Sequence, residues 1–147
     1  MEKYLLRRAV ARLELERRRW LRGYFQSLGI PLGQGQPRIL ESLLREGPLS
    51  QRQLAQLCGI DDSTMSRSVD RLVQAELVRR EAAPGCRRSL RICLTEAGRQ
   101  AAEQVAAAFA REDEVLLRGI GLEEAARTAA LLEVMRENLL REPFGET

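Results

Sequence analysis

The chain has no histidine among its 147 residues. That removes the imidazole from any acid–base or nucleophilic relay and takes away the commonest ligand for zinc or copper. Cysteine is scarce as well. Cys58, Cys86 and Cys93 are odd in number and none stands in a C-x-x-C, so they point to a reducing compartment rather than a disulfide scaffold. With one Trp, two Tyr and three Phe, a core must be built mainly from Leu, Ala and Val on helices. Long apolar runs are absent: none approaches the ~20 residues that cross a bilayer. The start, Glu2-Lys3-Tyr4-Leu5-Leu6-Arg7-Arg8, is charged throughout and carries no leader-type apolar region. A soluble cytoplasmic protein with no membrane partner is the expectation. Phosphate-cradling glycine loops are also missing, and no carboxylate pair stands apart from an ordinary surface. No catalytic residue, cofactor or metal site is expected, and hence no enzyme.

What the chain does have is charge, unevenly spread. Residues 1–37 carry eight basic and three acidic side chains, residues 38–99 eleven and eight, and residues 100–147 five and ten. A basic front and an acidic rear suggest that one face meets a polyanion, although a charge run also suits a solvated face.

Breakers divide the chain. Leu6, Val10, Leu13, Trp20 and Tyr24 keep three- and four-residue spacing, predicting a long helix from about Glu2 to Leu28. The stretch Gly29 to Pro37 is a connection, and Pro37 suits the first turn of a helix reaching Glu46, with Ile39, Leu40, Leu43 and Leu44 inward. Ser50 caps a short helix, Gln51 to Cys58, closed by Gly59. Asp61 or Asp62 caps the next. Leu77–Glu81 and Ser89–Leu94 read as strands around an Ala83-Pro84-Gly85 turn, with Cys93 on the outer face. Thr95 caps an Ala-rich helix to about Arg118, and a last helix runs from about Leu122 to Arg141.

Leu49 to Val69 has the form of a helix-turn-helix. Ala55 is small where two helices must meet closely, Gly59 can turn the chain left-handed, and Leu54, Leu57, Ile60, Met65 and Val69 make a shared core. Ser63, Thr64, Ser66, Arg67 and Arg71 then fall on the outward, early part of the second helix, the part that enters a major groove. Arg52 joins them from the first helix. Arg67 suits bidentate reading of guanine, worth about 1–3 kcal/mol of discrimination. The plain alternative is a solvated helix face. Arg79, Arg80, Arg87, Arg88 and Arg91 against Glu81 give the following hairpin a balance of +4 within thirteen residues. Arg87 and Arg88 at its tip suit an adjacent minor groove. Arg79 and Arg80 suit either phosphates or structural ion pairs.

Leu94-Thr95-Glu96-Ala97-Gly98-Arg99 after a Pro-Gly-x-Arg-Arg hairpin resembles the multiple antibiotic resistance regulator (MarR) family. So do Gln51 to Leu57 and Asp70-Arg71-Leu72, and the resemblance runs along essentially the whole chain. It implies a mainly α fold: a winged helix-turn-helix DNA-binding lobe with long N- and C-terminal dimerisation helices. The 147 residues would be one domain, with 37–99 as the lobe and 1–36 and 100–147 as dimerisation helices. The resemblance further implies a homodimer on double-stranded DNA with a near-palindromic operator, and a pocket in which small, often phenolic, effectors weaken DNA binding. A repressor released by a small molecule or an oxidative signal follows. Two positions depart from the family pattern: Cys86 stands where Asp commonly braces the wing arginines, and Glu76 stands near a common Gly.

The outer helices support dimerisation independently. Leu5, Leu6 and Val10 near one end, and Leu131, Leu132, Met135, Leu139 and Leu140 near the other, form apolar stripes without a partner in the middle lobe. Packing within the chain is the alternative. For the signal, Cys86 beside Arg87 and Arg88 is a redox candidate or a tolerated loop substitution. Trp20, Tyr24 and Phe25 are candidates for an effector pocket or for plain core. The rival to a DNA reader is a winged-helix interaction module that binds protein instead.

Overall fold

The computed structural model describes residues 2–30, 33, 35–142 and 144, and the side chains of all these except Arg87. Its elements are α1 (Lys3–Ser27), α2 (Gln36–Glu46), α3 (Gln51–Cys58), α4 (Asp62–Gln74), β1 (Val78–Ala83), β2 (Cys86–Leu94), α5 (Glu96–Leu116) and α6 (Leu122–Arg141). No described helix is long and apolar enough to cross a membrane. The chain divides into two compact units, Met1–Ala110 and Arg111–Thr147, so α5 crosses the division.

In the first unit, local chemistry sets each helix boundary. Pro37 lies in the first turn of α2, where a missing N–H costs nothing. Ser50 and Gln53 form a reciprocal capping box on α3, each side chain taking the other's backbone N–H at 3.1 and 2.9 Å. Gly59 ends α3 in the left-handed conformation, and Arg38 donates to the Cys58 carbonyl beside it at 3.3 Å. Thr95 caps α5, accepting the Gly98 N–H at 3.0 Å while its own hydroxyl donates to the Glu76 carbonyl at 2.7 Å. Gly98 is more than a weak helix former there. A Cβ at that position would overlap the Leu77 carbonyl, so the start of α5 can lie against the root of β1 only with glycine.

The core joins Ile39, Leu40 and Leu43 of α2 to Leu54, Ala55, Met65, Val69 and Leu72 of α3 and α4. Val78, Ile92, Ala102 and Val105 close it from the hairpin and α5, and Phe25 meets Phe109 edge-on at 6.3 Å. Leu57 is not part of it. The residue is 57% exposed, because Leu54, Ala55 and Cys58 define the buried side of α3 and Leu57 falls about 100° away at 3.6 residues per turn.

β1 and β2 pair antiparallel from Val78 opposite Leu94 to Ala82 opposite Leu90, around a Pro84-Gly85 turn with Gly85 at φ +76°. The register then jumps, Ala83 facing Cys86. Residues 87–89 therefore bulge from β2 rather than crown the turn, which corrects the expected placement of Arg87 and Arg88 at the tip. A second correction concerns the faces. Leu90 is exposed, whereas Cys93, expected outside, is only 4% exposed. Leu49, just before the α3 cap, exchanges both backbone hydrogen bonds with Ile92 and pins α3 to the hairpin.

The second unit is mostly α6. Glu124 accepts the Gly121 N–H at 3.2 Å, and acidic residues in its first turn and Arg141 in its last suit the helix dipole. None of its residues is buried, and Leu131, Leu132, Val134, Leu139 and Leu140 are all exposed.

Candidate nucleic-acid interface

Helix α4 turns Met65, Ser68, Val69 and Leu72 into the core and leaves Ser63, Arg67, Asp70, Arg71 and Gln74 exposed. These recur at steps of three and four, so they line one outer stripe. Thr64 and Ser66 are half-buried at its edges, and Arg52 is exposed on α3. Asp61 caps the helix: its carboxylate accepts the Ser63 hydroxyl at 2.6 Å and the Thr64 N–H at 3.0 Å. Those hydrogen bonds, Ser63 first, hold the Asp61 carboxyl well below the usual carboxylate range. The Ser63 hydroxyl is thus engaged locally, and the free guanidinium reach of the stripe belongs to Arg67 and Arg71. Arg67 makes only a long 3.5 Å contact with Thr64.

The hairpin stands beside this stripe because Arg80 of β1 meets Asp70 of α4 at 2.6 Å. Arg79 pairs with Glu81 at 2.5 Å and also donates to the Leu94 carbonyl at 3.0 Å. Of the two expected roles for Arg79 and Arg80, both therefore fill the structural one. Arg88 is exposed on the bulge, as is Cys86 next to the turn. The side chain of Arg87 lies outside the described residues. Sequence reading missed the Asp70–Arg80 tie and the Leu49–Ile92 bridge, since partners 10 and 43 residues apart leave no periodic signal.

The remaining candidates separate. Phe25 is committed to the core against Phe109, while Trp20 and Tyr24 stack at 5.2 Å and stay half-buried. Cys58 is buried, and loss of solvation pushes its thiol up despite the Ser42 hydroxyl at 3.6 Å. No group of described residues forms a metal-ligand cluster.

Residues 28–89, which hold α2, α3, α4 and most of the hairpin, match the MarR family model. The resemblance to the MarR family read from the sequence is thus borne out over these residues. A MarR transcriptional regulator from Methanosarcina mazei Go1 superposes with a TM-score of 0.77 at 26% identity, covering 96% of this chain and 100% of the other. The PcaV transcriptional regulator of Streptomyces coelicolor, solved with its natural ligand, shares the fold with a TM-score of 0.71 at 24% identity over 87% and 89% of the two chains. Wild-type MarR from E. coli, in its apo form, does so with 0.68 at 23% identity over 88% and 96%. This chain thus has the mainly helical, winged-helix fold of MarR transcriptional regulators.

Proposed function

We propose that this protein is a MarR-type homodimeric, sequence-specific DNA-binding regulator, a repressor that releases a near-palindromic operator on a small-molecule or oxidative signal. One observation carries the reading: the exposed Arg67–Arg71 stripe of α4 lies beside an arginine-bearing hairpin held to it by Asp70 and Arg80. A helix and a wing so placed suit a major groove and its neighbouring minor groove. Residues 37–99 would be the reading lobe, with 1–36 and 100–147 as dimerisation helices. Exposed Leu5, Leu6 and Val10 on α1, and Leu131, Leu132, Leu139 and Leu140 on α6, favour association with a second copy. Two recognition helices about 34 Å apart would then meet successive major grooves. The effector would sit near Trp20 and Tyr24, whose stacked rings are incompletely covered. That PcaV was solved with a natural ligand favours a ligand-responsive regulator.

Selection of bound duplexes from a random pool, followed by titration across salt, tests the reading. Binding should weaken steeply with salt, by a log–log slope of roughly −0.9 per neutralised phosphate. Arg67→Ala should relax preference at one operator position by about 1–3 kcal/mol. Arg87→Ala with Arg88→Ala should weaken binding and flatten the slope. An unchanged slope removes the wing from the interface, and failure to select any duplex favours the protein-interaction module.

A further inference from the structure

The antiparallel register sorts the side chains of the hairpin onto two faces. Directly opposed residues share a face, so Arg80 with Ile92 and Ala82 with Leu90 lie on one side, and Arg79 with Cys93 and Glu81 with Arg91 on the other. The first side is turned towards α4. Ile92 is buried in the core there, and Arg80 opposite it is tied to Asp70 of α4. Leu90 continues this side two residues, or about 7 Å at 3.3 Å per residue, beyond Ile92. It has left the core: Leu90 is 51% exposed, and Ala82 opposite it is exposed as well. Arginine stands on either side of this apolar spot, Arg80 towards the root and the exposed Arg88 on the bulge.

A protruding strand that nothing covers is ordinarily blunted with charge, and a single exposed leucine can be incidental. This one sits in a stretch with a balance of +4 within thirteen residues, beside the exposed arginines of α4. Such charge opposes docking against an apolar protein surface and favours a polyanion that itself offers apolar walls. The minor groove of a duplex has that character and accepts apolar side chains together with arginine.

We propose that Leu90 is a specificity-determining residue, which meets the minor groove beside the groove entered by α4 and rejects guanine there. The inference rests on the regulator reading above and adds to it a second mode of base recognition. In the minor groove, A·T and T·A pairs present only acceptors, whereas G·C adds the guanine N2 amino group. A leucine methyl over that amino group crowds it and strips its donor of water without returning a hydrogen bond. An A·T pair leaves the space open. Leu90 therefore reads by exclusion and neutralises no phosphate, so its effect separates from that of the arginines under salt.

An inosine·cytosine pair separates the two grooves, because it has the major-groove pattern of G·C but lacks the N2 amino group. The full-length protein is titrated with a duplex selected from a random pool, in which the pairs flanking the α4 site are A·T, I·C or G·C. The I·C flank should bind within about twofold of A·T, and the G·C flank about tenfold more weakly, the order of one mismatched pair. Leu90→Ser should bring all three together, keep the preference at the Arg67 position and leave the salt slope unchanged, unlike removal of Arg87 and Arg88. Leu90→Met keeps apolar bulk and should retain the discrimination. Both variants should unfold within a few degrees of the unsubstituted protein, since this side chain lies outside the core. An I·C flank bound as weakly as G·C would assign the readout to the major groove and overturn the proposal. So would a Leu90→Ser protein that still discriminates, or an unsubstituted protein indifferent to the three flanks. In each of those cases a duplex is still bound, and the regulator reading stands. Failure to select any duplex removes both and turns the Leu90 surface towards a protein partner.

Discussion

Glu76 sits at φ +59°, the one described residue other than glycine in the left-handed region. The position follows α4, where the chain must reverse into β1. The Glu76 N–H reaches the Val73 carbonyl and its own carbonyl accepts the Thr95 hydroxyl, so the strain is held by backbone contacts on both sides. A left-handed side-chain residue costs about 1–2 kcal/mol, partly offset by the extra freedom glycine has when unfolded. Glu76→Gly should therefore stabilise the fold by about 0.5–1 kcal/mol, read as a higher urea midpoint at unchanged slope. Asp61 makes a pH-dependent contribution. Its carboxyl titrates near 3.9 in an unfolded chain and lower when folded, so its stabilisation is full above that value and lost as pH falls through the folded pKa. Asn caps helices as well as Asp but does not titrate. Asp61→Asn should leave neutral stability nearly unchanged and flatten the acid limb below about pH 4; an identical acid limb would assign the loss to other carboxylates such as Glu81, lowered by Arg79.

Between elements, the α3–α4 pair and the hairpin are held by contacts that differ in kind. Leu49 and Ile92 exchange two backbone hydrogen bonds, which are insensitive to side-chain identity. Asp70 and Arg80 form a partly exposed ion pair, and such pairs add roughly 0–1 kcal/mol to stability. The consequence of that pair is orientation. Without Asp70, the Arg80 side chain is released and the hairpin keeps only its root contacts to fix it beside α4. Asp70→Asn should shift thermal unfolding by at most a few degrees yet weaken duplex binding clearly, with base preference at the Arg67 position retained. A binding loss matched by an equal loss of folded protein would mean the pair is merely structural.

For the whole molecule, the outstanding feature is apolar surface. Leu139 is 77% exposed and Leu122 81% on a helix with no buried residue, far more than scattered surface leucines require. On the homodimer reading, this helix completes its packing against a second copy. Leu132→Glu with Leu139→Glu should then give a monomer by sedimentation, and duplex affinity should fall because each half-site is bound alone. A wild-type monomer, or a dimer untouched by these substitutions, would turn the apolar helix towards another partner.

How much was legible can be judged from particular residues. Caps and breakers act within four residues, so Pro37, Ser50, Gly59 and Thr95 marked four helix boundaries in advance, the α4 cap was narrowed to Asp61 or Asp62, and the 122–141 helix was readable to its ends. Of the residues expected on the outward side of α4, Ser63, Arg67 and Arg71 are exposed, whereas Thr64 and Ser66 are half-buried at the edges of the stripe. Leu57 and Cys93 were misjudged because burial depends on what packs opposite: Ala55 turns α3, and Cys93 lies at the hairpin root near Leu43, Pro48 and Leu94. The 87–89 bulge, which moves the arginines off the turn, also escaped notice, since alternation assumes an unbroken register. Sequence by itself thus determined the helices, their order and the exposed arginines Arg67 and Arg71 of α4, all products of short-range chemistry. Tertiary structure alone decided that Arg79 and Arg80 are held in ion pairs while Arg67 and Arg71 are in none among the described residues. Those partners come together only when the hairpin folds against α4.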